Sequence, residues 1–75
     1  MNSKKEKQEY NLIITDTFGG EANFAWSRKL TVIANSPIQA MRKGLRQEGY
    51  KPGVIGPYYC QAVKACVRIL LQENY

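Results

Sequence analysis

The chain has no histidine, only two cysteines, and six acidic residues against eleven lysines and arginines. Each shortage closes off some chemistry. Without histidine there is no imidazole to activate a hydroxyl or thiol nucleophile near neutral pH, and no serine or cysteine stands beside another evident base. Two cysteines are too few for a disulfide-stapled secreted scaffold. Cys60 and Cys66 lie in an apolar segment, where a free thiol behaves as a small hydrophobe, so both read as reduced core residues of a cytosolic protein. Were that segment a single strand, six residues would hold the two cysteines ~20 Å apart, outside disulfide reach. No apolar run is long enough to span a bilayer and nothing amino-terminal resembles a signal peptide, so a cytoplasmic protein without a membrane partner is expected.

What is present suits one small domain. The 75 residues are 44% hydrophobic, enough for a core and against disorder. A domain this size buries only roughly 60% of its unfolded surface, so a partner or a second copy would add useful stability. The formal charge of +5 suits phosphates or an acidic surface, although it also serves plain solubility.

Residues 1–9, "MNSKKEKQE", are polar after the first Met and read as a flexible basic tail, leaving 10–75 as a single α+β domain. "YNLIITDT" predicts a strand from Tyr10 to Thr17. "NFAWSRKLTVIAN" alternates, with Phe24, Trp26, Leu30 and Val32 on one side and Ser27, Lys29 and Thr31 on the other. Arg28 interrupts the apolar side, so it is expected near the sheet edge or snorkelling outward. "NSPIQAMRKGLRQEGY" carries helix punctuation: Ser36 as N-cap, Pro37 in the first turn, Gln39 completing a capping box, and Gly49 as C-cap. Ile38, Met41 and Leu45 form its apolar stripe, and Gly44 suits close approach of helix to sheet. Arg42, Lys43 and Arg46 make the opposite face the densest basic patch of the chain.

"YKPGVIGPYY" reads as loop or turns. "YCQAVKACVRILLQENY" fits a strand by alternation and a helix by a second stripe; its β-branched residues favour strand, with a turn near Lys64 able to split it. The expectation is an α+β fold, a small antiparallel sheet of three to four strands in the order β-β-α-β, with one helix packed on one face.

The most distinctive stretch is "TDTFGGEANFAW", Thr15 to Trp26. Asp16, Glu21 and Asn23 offer oxygens, but their spacing is not that of a calcium loop, and two carboxylates without histidine make a poor transition-metal site. Gly19-Gly20 is not followed by a helix, and the flanking acids would repel a phosphate. The bland reading explains more: glycines allow the turn, Asp16, Thr17 and Asn23 bond nearby backbone, and Phe18, Phe24 and Trp26 pack beneath it. A rigid hairpin tip remains a good place for binding.

The same stretch resembles a motif of small bacteriophage and prophage proteins that read Thr-Asp-Thr-Phe/Tyr-Gly-Gly-Glu-Ala-Asn-Tyr-x-Trp followed by basic residues. Phe24 stands here where Tyr is usual, and Arg28-Lys29 fit the basic pair. The likeness continues through "SPIQAMRKGLRQEGY" and "YYCQAVKACVRILLQE", while "KPGVIGPYY" looks shorter and less acidic. The resemblance implies a phage-type protein in a bacterial host, acting by binding a host protein or ribonucleoprotein complex, with CRISPR inhibition as its most specific form.

Two readings follow, and neither involves catalysis or a cofactor. In the first, a host defence or nucleic-acid-processing complex is bound through Phe18, Glu21, Asn23, Arg28 and Lys29, or through Arg42, Lys43 and Arg46. In the second, the protein binds nucleic acid directly, with Arg42, Lys43 and Arg46 on phosphates and Tyr50, Tyr58 and Tyr59 stacking on bases. An open sheet edge could also pair two copies as a homodimer.

Overall fold

The structure, a computed structural model, describes residues 7–72. Strand β1, Gln8–Phe18, and strand β2, Glu21–Ala34, form a long antiparallel hairpin. Gly19 and Gly20 make its turn with φ of 64° and 86°. Both are left-handed, the signature of a type I′ turn, whose twist matches that of the flanking strands.

Helix α1, Pro37–Gln47, begins where Ser36 turns the extended chain and accepts the Gln39 N–H on its hydroxyl at 3.3 Å. It ends as Gly49, at φ 89°, sends its N–H to the Arg46 carbonyl, while the Tyr50 N–H reaches Leu45. Three short strands complete the domain: β3, Pro52–Ile55; β4, Tyr59–Ala62; and β5, Val67–Leu71. The sheet runs β2-β1-β5-β4-β3 with every pairing antiparallel. The first and last strands are therefore neighbours near its centre.

The core lies between α1 and one face of this sheet. Leu12, Ile14, Val32, Ala34, Cys60, Ala62, Val67 and Ile69 meet Ala40, Met41 and Leu45 of the helix. Each fully buried Leu, Ile or Met contributes ~1.5–3 kcal/mol. Gly44 faces the sheet so closely that a Cβ there would stand 2.6 Å from Ile69 Cδ1 and 3.1 Å from Leu12 Cδ1. That approach is the physical reason for a glycine in mid-helix.

The expected β-β-α-β sheet of three to four strands is overturned. The sheet has five strands and the order is β-β-α-β-β-β. "KPGVIGPYY" hides β3, whose Pro52 opens an edge strand, a position where the missing N–H costs little. The closing segment is two strands, split where Lys64 adopts φ 59°.

Several side chains also depart from expectation. Ile38 of the expected stripe is exposed, while Met41 and Leu45 are buried as expected, with Ala40 and Gly44 beside them. Cys60 is buried, but Cys66 lies exposed in the β4–β5 turn and is not a core residue. Gln8 and Glu9 pair with Ala34 and Ile33, so the ladder claims the end of the expected tail; residues 1–6 lie outside the described residues.

Candidate functional site

The hairpin tip carries the most unusual geometry. Thr15 pairs with Ser27, but Thr17 pairs with Ala22, so β1 advances two residues while β2 advances five. The surplus bulges out of β2, and its backbone groups lose their ladder partners. Two side chains of β1 replace them. The fully buried Thr15 hydroxyl donates to the Trp26 carbonyl at 2.9 Å and accepts the Phe24 N–H at 3.0 Å. The Asp16 carboxylate accepts the Ala25 N–H at 2.9 Å and the Asn23 side-chain amide at 2.8 Å. The Asn23 amide, above all, holds the Asp16 carboxyl below its ordinary value; some desolvation opposes it, and the Ala25 and Trp26 N–H groups reinforce it.

This scaffold presents aromatics to solvent. Phe18 is 81% exposed, Phe24 55% and Trp26 44%. They do not pack beneath the turn as expected, and Trp26 is not sealed under α1. Phe24 sits at φ 58°, a left-handed conformation that costs a non-glycine residue roughly 1–2 kcal/mol.

A long-range contact also holds the tip. Arg68 of β5 donates from Nη2 to the Gly20 carbonyl at 2.5 Å, and its guanidinium lies 4.1 Å from the centre of the Tyr59 ring. Its Nε is buried without a hydrogen-bond partner. Thr15, Asp16 and Arg68 are thus the residues that build the tip. Sequence reading found the bonding of Asp16 to nearby backbone, but Asn23 donates to the Asp16 carboxylate rather than to backbone, and the bond credited to Thr17 belongs to Thr15. The Thr17 N–H instead reaches the Cys66 carbonyl.

The remaining expected site residues do not form one surface. Glu21 closes the turn opposite Phe18. Arg28 and Lys29 are consecutive in β2 and alternate to opposite faces: Arg28 Nε meets Glu48 at 2.7 Å, past the end of α1, while Lys29 pairs with Ile13. Both guanidinium and carboxylate keep contact with water, so that ion pair adds little stability.

At the other end of the hairpin, Arg42, Lys43 and Arg46 line a cleft of about 380 Å³ together with Lys7, Asn35 and Gln39. Lys43 Nζ donates to the Ile33 carbonyl on edge strand β2 at 2.8 Å. Gln39 shares the helix face with the three cations, as its spacing predicts; Lys7 and Asn35 were missed, Lys7 because it meets the helix only in space and Asn35 because it lies just before the N-cap, outside the helical pattern. The three tyrosines are not part of this cleft: Tyr59 stacks on Arg68, Tyr50 packs against the core, and Tyr58 stands exposed.

Among the described residues, no cluster of three or more His, Cys, Asp or Glu side chains could hold a metal, and no helix is long and apolar enough to cross a membrane. No family model, curated protein or solved structure matches the chain. Fold and site together describe a small antiparallel α+β scaffold with a braced aromatic hairpin tip at one end and a basic cleft at the other.

Proposed function

We propose that this protein is a non-catalytic, phage-type interaction protein that docks on a host nucleic-acid-processing or defence complex through the tip of its β1–β2 hairpin. The observation that carries the reading is Phe24. It is more than half exposed and adopts a left-handed conformation, yet Thr15 and Asp16 hold its backbone in place. Strain retained around an exposed aromatic favours a use for that aromatic outside the fold. Phe18 and Trp26, also exposed on the same hairpin, add apolar surface of the residue type that dominates binding energy at protein interfaces. Inhibition of a CRISPR complex is the specific form that the motif resemblance supports.

The test is co-purification of the tagged chain from nuclease-treated bacterial lysate, comparing wild type with a Phe18→Ala/Trp26→Ala variant. A stoichiometric protein partner that survives nuclease and is lost with the variant is the expected result. Each truncation of a central aromatic should weaken the complex by at least ~2 kcal/mol, about thirtyfold. A partner held equally by the variant would remove the tip from the interface. Association that disappears with nuclease would replace the protein target with nucleic acid.

A further inference from the structure

The basic cleft lies at the opposite end of the hairpin from the aromatic tip and has no role in the docking reading above. Its lining includes four cationic side chains, Lys7, Arg42, Lys43 and Arg46, with two neutral amides, Asn35 and Gln39, and no acidic residue. Glu9 pairs with Ile33 in the adjoining ladder but does not line the cleft. Helix α1 has no acid in its first turn, so the positive end of its dipole is not neutralised beside Asn35 and Gln39. Arg42 and Arg46 are both exposed and lie one turn apart, with a rise of ~6 Å between them. Each strand of duplex DNA carries one phosphate per ~3.4 Å of axis, and successive phosphates also wind around it, so two guanidinium groups one helical turn apart are on the scale of neighbouring phosphates.

We infer that this cleft is a nucleic-acid site that grips the phosphate backbone of a duplex without reading its sequence. Like charges crowded around one concavity repel one another in the free protein, and a polyanion relieves that repulsion. The amides of Asn35 and Gln39 can donate to phosphate oxygens between the cations. Duplex backbone is favoured over single strands because no aromatic side chain lines the cleft, and single-strand sites rely on stacking platforms. The expected stacking role of Tyr50, Tyr58 and Tyr59 therefore does not belong to this site.

The experiment is fluorescence anisotropy of the whole protein with a labelled mixed-sequence DNA duplex across a salt series. Four phosphate contacts give a slope of log K on log salt near −3.6, an affinity loss of about 150-fold between 50 and 200 mM salt. Arg42→Gln/Arg46→Gln, changed at exposed positions with the fold checked by circular dichroism, should halve the slope and reduce the loss to about 12-fold. The Phe18→Ala/Trp26→Ala variant should bind duplex like wild type, which separates this site from the tip. An unaltered slope in the arginine variant would overturn the inference. So would absence of duplex binding at 50 mM salt, or displacement by a single strand at equal concentration. Binding of pyrophosphate with no binding of duplex would make the cleft a small-anion site and equally overturn it.

Discussion

Replacing Thr15 with Val tests whether one hydroxyl holds the bulge. Valine keeps the shape and removes only the oxygen, which in this structure bonds the Trp26 carbonyl and the Phe24 N–H. Each lost hydrogen bond costs about 1 kcal/mol net, and more where the orphaned group stays dry. The added methyl returns at most ~0.8 kcal/mol of burial. The net loss is then about 1–2 kcal/mol. In a domain of this size each kcal/mol moves Tm by roughly 4–8 °C, so a fall of about 5–15 °C is expected. Thermal melts followed by circular dichroism give the global change. Emission from Trp26, the single tryptophan, reports the bulge directly and should alter below the main transition. Thr31→Val is the control: its hydroxyl sits on the exposed strand surface, bonded to Asn11, and should shift Tm by only a few degrees. A Thr15→Val protein with native Tm and unchanged Trp26 emission would show that the bulge stands without the hydroxyl.

Two further outcomes follow from the same geometry. Gly44→Ala should destabilise the protein despite improving helix propensity by about 1 kcal/mol, because overpacking against the fully buried Ile69 and Leu12 costs ~1–3 kcal/mol; a raised urea midpoint would contradict the close helix–sheet contact. Asp16 has a folded-state value below its ordinary 3.8, so its bonds to Asn23, Ala25 and Trp26 support the tip fully above that pH and fail as pH falls through the lowered value. An acid titration of Trp26 emission should therefore change below pH 3.8 in wild type and lose that step in Asp16→Asn. Persistence of the step in the variant would assign it to another carboxylate.

The hairpin and the helix were legible because their signals are local. Gly19-Gly20, Ser36-Pro37 and Gly49 set backbone geometry within a few residues, and the structure uses each where the sequence places it. The number and order of strands were not legible. β3 and β4 are four residues each, too short to show a period, and β3 opens with a proline. The aromatic positions misled for a physical reason. Alternation in β2 would place Phe24 and Trp26 over the core, but the bulge between Ala22 and Ser27 breaks the period and turns them to solvent. The cleft was half legible: Arg42, Lys43 and Arg46 share a helix face by spacing. Lys7 reaches the same cleft only through the β1–β2 ladder, which sets the start of β1 beside the end of β2, while Asn35 lies just before the helix N-cap.

The sheet order has a consequence for how the chain is made. β1 emerges from the ribosome before the other strands of the sheet and can pair with β2 as soon as that follows, but its other edge waits for β5, where Leu12 finally meets Leu71. Until then α1 has most of its apolar stripe facing an incomplete surface, since Cys60, Ala62, Val67 and Ile69 are all synthesised after the helix. Closure across so long a stretch of chain is slow compared with hairpin formation. The nascent protein therefore carries a finished β1–β2 ladder with exposed aromatics before it has a core, and through that interval its exposure to chaperones, proteases and misassociation is at its greatest.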